Sequence, residues 1–261
     1  MDMERLPSTV AAPDAGSLIP LRDVEVAFTP VVDTQDGCVV AYEAQLQRGA
    51  ARTTRALLAG VPLAERAGQD HNCRTLAMAA AVKAGIGTRK VQLGVSILAA
   101  LVHDPAAEAE ETIFAAIAAR FPHRRLVLQF SEGDGLDGAH MAALIAQYHR
   151  RGFMVAFDDF GSADNGLDLL ARFTPDAVKI DAAIVHRLCS SWSRRLVVES
   201  IVQIAERSGI RVVAKGVATR GEYDKLVRLG VRYMQGPLFG AAETGRLPLP
   251  DWEPFEPGLA G

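Results

Sequence analysis

The segment VAFDDFGSADNGLDLLARFTPDAVKID, residues 155–181, contains two short apolar runs separated by a longer, more polar connection. We assign β-strands to residues 153–159 and 176–181 on this pattern. Consecutive side chains of a strand point to opposite faces, so the neighbouring acids Asp158 and Asp159 can serve one site only where the strand ends and the backbone turns. The pair therefore indicates either a metal or phosphate-ester site or two solvated acids that open a loop.

The rest of the chain repeats this alternation of short apolar runs and longer amphipathic ones. The predicted strands cover residues 24–32, 38–46, 90–96, 124–130, 153–159, 176–181, 210–215 and 231–236. The predicted helices include residues 53–67, 72–85, 106–120, 138–151, 192–208 and 220–229. Alternating strands and helices imply parallel crossovers, and eight strands in a domain of this length favour an α/β fold of the (β/α)8 TIM-barrel-like type over an open doubly wound sheet. The first two strands are joined through residues 33–37 without room for a helix, which predicts an antiparallel hairpin.

The two ends of the chain differ in composition from its centre. Residues 1–21 are rich in Pro, Ala, Ser and Asp and are predicted to form a flexible leader. Residues 247–261 contain four prolines and are predicted to form an irregular, Pro-rich tail. We therefore assign the barrel to residues 22–246.

Composition and charge exclude several classes of protein. Hydrophobic residues make up 49% and charged residues 23% of the chain, which is the mixture of a soluble globular protein. The net charge of −3 and the scattered arginine pairs argue against a nucleic-acid partner. No apolar stretch reaches the roughly 18 residues of a membrane span. The three cysteines have no Cys-x-x-Cys spacing, so they predict neither disulfides nor a zinc site and favour a cytoplasmic protein.

A barrel predicts where the chemistry lies, because the active sites of such folds form at the C-terminal ends of the strands. Most of the predicted strands end in a group capable of acid, base or ligand chemistry. These groups are Glu43, Ser96, Gln129, Asp158, Asp159, Lys179, Asp181, Lys215 and Gln235. A purely structural barrel would not need them, which favours a functional site over a solvated pair of acids.

Several segments together resemble an EAL domain, the bacterial barrel that hydrolyses cyclic di-GMP. They are AFTPVVDTQDGCVVAYEAQLQR (27–48), PLAERAG (62–68), the segment 155–181 with its Asp-Asp-Phe-Gly and Lys-Ile-Asp motifs, and VVAKGVATRGEYDKLVRLGVRYMQGPLFG (212–240). The resemblance implies an EAL-type barrel. In active members of the family, carboxylates and one asparagine hold two divalent cations, which generate the hydroxide that attacks a phosphodiester.

Four positions depart from the family's pattern. Gly94 stands where a ligand asparagine is expected, and Gln129 stands where a glutamate is expected. Lys215 and Ala218 replace the two glutamates of the family's Ala-Glu-Gly-Val-Glu motif. An ammonium group cannot bind a metal and repels one nearby, so the sequence predicts no catalytic residue, no metal ligand and no cofactor.

The resemblance leaves a binding function open, since family members that have lost catalysis serve as cyclic di-GMP receptors. The predicted nucleotide-binding residues are Glu43, Arg48, Asp158, Asp159, Lys179, Lys215 and Gln235. Lys215 is expected to pair with Asp158 or Glu43, where a cation would otherwise lie. Two features argue against nucleotide binding: Gln47 stands where the family has arginine, and residues 68–70 read Gly-Gln-Asp where it has Gly-Leu-Ile.

These considerations predict a degenerate EAL domain that is non-catalytic and acts in bacterial signalling, through a protein partner or as a cyclic di-GMP receptor. The alternative is a cyclic di-GMP phosphodiesterase of low activity that depends on Mg²⁺ or Mn²⁺. The oligomeric state, with a homodimer among the choices, is left open.

Other signals are interpreted as structural. The six histidines lack ligand spacing such as His-x-x-x-His and predict no metal site. A core-facing helix stripe is predicted for Met141, Leu144, Ile145 and Tyr148. Trp192 is expected to anchor the helix that it begins. A Schiff-base role for Lys215 is disfavoured, because nearby Asp158 would keep its amine charged.

Overall fold

The structure is a computed structural model that describes residues 19–131, 138–161 and 166–252. The strands are β1 (Glu25–Asp33), β2 (Cys38–Gln47), β3 (Gln92–Ser96), β4 (Leu126–Ser131), β5 (Met154–Phe160), β6 (Ala177–Ile180), β7 (Arg211–Ala214), β8 (Tyr233–Met234) and β9 (Glu243–Thr244). The helices are α1 (Thr54–Leu58), α2 (Leu63–Lys83), α3 (Pro105–Ala118), α4 (Gly138–Arg150), α5 (Gly166–Arg172), α6 (Ala182–Val185), α7 (Trp192–Ser208) and α8 (Arg220–Arg228). All eight predicted strands are present.

The sheet closes on itself. Strands β2 to β8 follow one another in parallel, and β1 lies between β8 and β2 and runs antiparallel to both. The short strand β9 pairs with β1 outside the barrel order. The predicted (β/α)8-type barrel and its antiparallel first strand are therefore confirmed, and the C-terminal ends of β2 to β8 meet at one end of the barrel.

The hairpin between β1 and β2 also secures the closure of the barrel. The Oδ1 oxygen of Asp33 accepts hydrogen bonds from the backbone N–H groups of Gln35 (3.0 Å) and Asp36 (3.2 Å), and Gly37 takes a positive φ of 62°. The same carboxylate accepts a hydrogen bond of 2.8 Å from Arg232, just before β8. One aspartate thus shapes the turn and joins the first strand to the last.

The connection between β2 and β3 differs from the prediction. The sequence predicts helices at residues 53–67 and 72–85, whereas α1 is one short helix and α2 continues through residues 68–71. Helix α1 ends at Leu58, and Pro62, whose ψ is 140°, directly precedes the first residue of α2. Gly68 lies inside α2, where a glycine weakens a helix without ending it. Helices α5 and α6 were not among the predicted helices.

One prediction about helix packing is correct and one is wrong. The predicted core-facing stripe of α4 is buried: Met141, Leu144, Ile145 and Tyr148. Trp192 is 67% exposed, so it does not anchor α7. The helix begins there because the Ser191 hydroxyl accepts a hydrogen bond from the backbone N–H of Arg194. Across the described ranges, no helix is both long enough and apolar enough to cross a membrane.

The described parts of the two chain ends pack against the barrel. Ile19 and Leu247 both belong to the buried core. The Tyr42 hydroxyl donates a hydrogen bond of 2.9 Å to the carbonyl oxygen of Pro248. The predicted leader up to residue 18 and the predicted tail from residue 253 lie outside the described residues. The domain bounds of 22–246 stay a prediction.

Gly236, at the end of β8, is expected to tolerate no side chain. A Cβ there would lie 2.3 Å from the backbone nitrogen of Val217 and 2.4 Å from its carbonyl oxygen. Because backbone atoms cannot swing aside, Gly236→Ala should lower the free energy of unfolding by about 2–3 kcal/mol. Gly68→Ala is the matched control, since nothing lies within 4 Å of its added Cβ, and it should stabilise α2 by about 0.5–1 kcal/mol. Urea denaturation measures both; equal effects would contradict the argument.

Candidate functional site

Asp158 and Asp159 reach the same site because β5 ends in an irregularity. The pairing of β5 with β6 shifts its register between Phe157 and Phe160. Asp159 has a φ of 53°, which is uncommon for any residue other than glycine. Its backbone N–H donates a hydrogen bond of 2.9 Å to the Oδ1 oxygen of Asp158. This bulged strand end allows two consecutive carboxylates to face one cation.

That cation is the ammonium group of Lys215, which directly follows β7. Its Nζ atom lies 2.6 Å from Oδ1 of Asp158 and 2.7 Å from Oδ1 of Asp159. The Lys215 side chain is 16% exposed, whereas the Asp159 side chain is 42% exposed. The pairing of Lys215 with Asp158 that the sequence predicts is present, and Asp159 shares the same ammonium.

A second ammonium lies deeper in the barrel. Lys179, in β6, donates a hydrogen bond of 2.5 Å to Oε2 of Glu43, in β2. The side-chain amide of Gln235 donates to the same oxygen at 2.6 Å. The Lys179 Nζ atom also lies 3.8 Å from Oδ1 of Asp158. All four side chains are buried, so the lysines and acids form one network across the barrel.

The opposite charges of this network offset the burial of each group. Burial by itself would raise the pKa of Glu43, but the ammonium groups of Lys179 and Lys215 lower it to about 2. Burial by itself would lower the pKa of Lys215, but the carboxylates of Glu43, Asp158 and Asp159 raise this pKa above its ordinary value. Because a Schiff-base lysine needs a lowered pKa, this environment argues against that chemistry.

Besides Lys215, the three positions that depart from the family's pattern, Gly94, Gln129 and Ala218, supply no carboxylate to the network. Gln129, in β4, fills the space beside Gly94, in β3, where an added Cβ would lie 2.3 Å from the Gln129 Nε2 atom. The Oε1 atom of Gln129 is buried and, among the described residues, has no hydrogen-bond partner. Ala218 contributes only its backbone N–H, which donates to the carboxylate of Glu222 at 2.8 Å. Glu222 in turn belongs to the capping box that begins α8.

Four residues of this network, Glu43, Asp158, Asp159 and Lys215, line a cleft of about 410 Å³. Its walls include Arg52 and Arg55, which come from the segment that follows β2 and enters α1. Sequence reasoning missed both arginines. A signal for them was present, because they lie on either side of Thr53 and Thr54, and the Thr53 hydroxyl caps α1 by accepting a hydrogen bond from the backbone N–H of Ala56. The lining of the cleft thus includes three cationic side chains: Arg52, Arg55 and Lys215.

The structure brings six of the seven predicted site residues together and leaves one apart. The six are Glu43, Asp158, Asp159, Lys179, Lys215 and Gln235. Arg48 does not line the cleft, and its Nη2 atom lies 3.7 Å from Oδ2 of Asp23. A role of these residues in nucleotide binding stays a prediction.

The fold and this site define an α/β barrel with one antiparallel strand and an ionised cluster at its strand ends. A model of the EAL domain family matches residues 17–242. The chain therefore belongs to the EAL domain family, and the resemblance found in its sequence is confirmed.

Two curated relatives differ in their stated roles. The blue light- and temperature-regulated antirepressor BluF of Escherichia coli (strain K12) is 27% identical over 241 residues, which cover 92% of this chain and 59% of BluF. The cyclic di-GMP phosphodiesterase PdeL of the same organism is 29% identical over 129 residues, which cover 49% of this chain and 36% of PdeL. The chain thus spans less than two thirds of the length of either relative.

Solved structures share the barrel over most of the chain. A standalone versatile EAL protein from Vibrio cholerae O395, in its c-di-GMP-bound form, has a TM-score of 0.81 and 28% identity, with 88% of this chain and 97% of that chain covered. BlrP1 of Klebsiella pneumoniae, in a complex with manganese and cyclic di-GMP, has a TM-score of 0.79 and 26% identity, with 90% of this chain and 59% of that chain covered.

Lys215→Met should show how strongly the ammonium stabilises the site. The variant removes the ammonium that Asp158 and Asp159 share, so the free energy of unfolding should fall by about 2–4 kcal/mol. Lys215→Glu adds a further negative charge and should destabilise more. Lys83→Met, at an exposed position of α2, is the matched control and should change stability by less than about 0.5 kcal/mol. Denaturation in metal-free buffer measures all three; a Lys215→Glu protein more stable than the wild type would refute the interpretation.

Glu43 should make the stability of the fold depend on acidity. Its pKa of about 2 lies below the ordinary value of 4.5. At pH values between these two, the unfolded chain binds a proton at Glu43 that the folded protein does not bind. The resulting stabilisation is fully present above the ordinary value and is lost as the pH falls through about 2. Glu43→Gln removes this titration, so its free energy of unfolding should depend less steeply on pH over that window. Urea denaturation at a series of pH values compares the slopes, and identical slopes would argue against the lowered pKa.

Proposed function

We propose that this EAL domain is a non-catalytic bacterial signalling module that binds cyclic di-GMP without hydrolysing it. The observation that supports this most is the position of Lys215, whose ammonium group contacts both aspartates of the β5 end. A positive charge held there takes the place that a catalytic cation would need. The cleft above it remains open to an anionic ligand.

The residues present do not fit the two divalent cations that the resemblance implies. Three carboxylates and two ammonium groups leave one net negative charge in the network, whereas cations with oxygen ligands need several anionic or carbonyl donors. Gly94 offers no side-chain donor, and Gln129 offers an uncharged one. Any metal would first have to displace Lys215 from Asp158 and Asp159. We therefore propose that the cleft works without a metal or other cofactor.

Cyclic di-GMP suits the cleft because it carries two phosphodiester charges. Arg52, Arg55 and Lys215 all line the cleft, so an anionic ligand there would lie close to three cationic side chains. Arginine binds phosphate oxygens through a fork of N–H donors, and lysine binds them as a point charge. The likeness to an EAL protein solved with c-di-GMP bound supports this assignment.

Action through a protein partner is the second candidate, and an exposed surface favours it. Trp192 and Leu196 lie four residues apart on α7, which places them on one face, and they are 67% and 40% exposed. Exposed aromatic and aliphatic residues of this kind are typical of interaction surfaces. The likeness to an antirepressor, which covers 92% of this chain, supports the same function. A cytoplasmic location and a homodimer stay predictions.

A phosphodiesterase of low activity is the alternative. The likeness to PdeL and to BlrP1 with manganese supports it. It requires that Mg²⁺ or Mn²⁺ displace Lys215, which the charge of the network disfavours. The two functions differ in one observable, which is the release of a linear dinucleotide.

Calorimetric titration with cyclic di-GMP, in metal-free buffer and then with Mg²⁺ or Mn²⁺, tests the proposal. We expect binding of equal affinity in both buffers, because Lys215 supplies the positive charge. Chromatography of the nucleotide after incubation should recover it intact. A linear dinucleotide would overturn the non-catalytic function, and a lack of binding would leave the protein-partner function.

The same calorimetric titration, carried out with arginine variants, shows whether cyclic di-GMP binds in the cleft. Arg52→Ala and Arg55→Ala should each weaken binding by on the order of tenfold, since each removes a cation from the cleft. Arg207→Ala is the matched control, because this exposed residue lies in the last turn of α7 and is not part of the cleft. If Arg207→Ala weakened binding as much as the other two, the nucleotide would not bind in this cleft.

A further inference from the structure

A second cluster of potential ligands lies outside the barrel, between α2 and α3. It consists of His71 on α2 and of Glu108 and Glu111, one helical turn apart on α3. One ligand atom from each residue lies within 4.8 Å of the others. None of the three lines the cleft, so the cluster is separate from the strand-end network.

The imidazole of His71 has a nitrogen whose hydrogen-bonding capacity is unused. Its Nδ1 atom is enclosed by the protein, and no described residue forms a hydrogen bond with it. The nearest acid atom, Oε2 of Glu111, is 4.0 Å away, which is too far for a hydrogen bond. A buried polar atom without a partner is unfavourable, so this nitrogen favours an additional ligand between the two side chains.

Glu108 is held in place by hydrogen bonds from two neighbouring side chains. Its Oε1 atom accepts hydrogen bonds from the Thr112 hydroxyl, at 2.9 Å, and from the guanidinium of Arg74. Arg74 also pairs with Asp70, so its positive charge is already shared. The carboxylate is thus oriented before any ion binds, as the ligands of metal sites commonly are.

The charge of the cluster suits a divalent cation. Asp70, Glu108 and Glu111 carry three negative charges, Arg74 carries one positive charge, and His71 is neutral when its Nδ1 atom binds a metal. Two net negative charges therefore surround this position. The strand-end network has only one, and an ammonium group already lies between its aspartates.

We infer that His71, Glu108 and Glu111 form a binding site for a transition-metal ion of the Zn²⁺ class. One imidazole nitrogen and two carboxylate oxygens are a ligand set that Zn²⁺ accepts, with water in the fourth position. Bond lengths of about 2.0–2.2 Å place tetrahedral ligands roughly 3.3 Å apart, so the side chains must approach one another by about 1 Å. Glu111 can do so, because its side chain is 63% exposed.

This site differs from the sequence-based prediction that the histidines bind no metal. Its ligands come from two helices, so no His-x-x-x-His spacing marks it in the sequence. A bound ion would join α2 to α3 and would stabilise the folded protein in proportion to its affinity. Metal binding measured on this protein would then come from this site and would not indicate hydrolysis in the cleft.

Zn²⁺ binding to the full, metal-free chain tests the inference. Calorimetry with ZnCl₂ should show one equivalent bound, and the midpoint of thermal unfolding should rise with Zn²⁺ concentration. His71→Gln and Glu111→Gln should each weaken binding by at least about tenfold. Co²⁺ in place of Zn²⁺ should give visible absorption bands in the wild type that both variants lose.

Two control variants separate this site from other parts of the protein. His149→Gln removes a histidine–carboxylate pair elsewhere in the protein, in which Nε2 of His149 lies 3.0 Å from Oδ2 of Asp176, and it should leave Zn²⁺ binding unchanged. Asp159→Asn removes a carboxylate of the cleft and should also leave it unchanged. The inference is overturned if the wild type binds no Zn²⁺, if His71→Gln binds it normally, or if either control removes the binding. Circular dichroism establishes that each variant is folded.

Discussion

The contact of the Lys215 ammonium with two consecutive aspartates is the interaction on which the site depends. Asp158 and Asp159 hold like charges next to each other at a bulged strand end, where they repel each other. Lys215 removes that repulsion from within the chain. An ammonium cannot activate a water molecule as a metal can, because it offers no coordination position. The same contact that stabilises the barrel end therefore supports binding over hydrolysis as the proposed function.

Closure of the barrel determines which charges meet. Glu43 and Gln235 form a hydrogen bond although 192 positions separate them in the chain. They are close because β1 lies between β2 and β8, and the contact of Arg232 with Asp33 joins the hairpin to the last strand. The contact between Glu43 and Gln235 thus depends on an interaction outside the site, that of Arg232 with Asp33. This dependence links the turn of the hairpin to the burial of Glu43.

The negative charges of the strand-end network and those of the cluster between α2 and α3 are offset in different ways. A buried carboxylate needs a positive partner, which can belong to the chain or come from solution. In the strand-end network, Lys179 and Lys215 supply the positive charge, so little negative charge remains to bind an ion. Between α2 and α3, Arg74 is the one cation that pairs with these carboxylates among the residues that the structure describes, and Glu111 lies near an imidazole nitrogen instead. The difference explains why we propose metal binding at the second cluster and not at the first.

The amino-acid sequence alone determined the eight strands, their alternation with helices and the charged residues at their ends, because these features depend on residues close together in the chain. It also placed a break between α1 and α2, though at the wrong residues, since α1 ends at Leu58 and Pro62 precedes α2, while Gly68 is tolerated inside α2. Only the tertiary structure decided that one ammonium serves both aspartates and that Arg52, rather than Arg48, lines the cleft. Those contacts depend on a strand bulge, on barrel closure and on how the β2–α1 segment turns, none of which follows from local sequence.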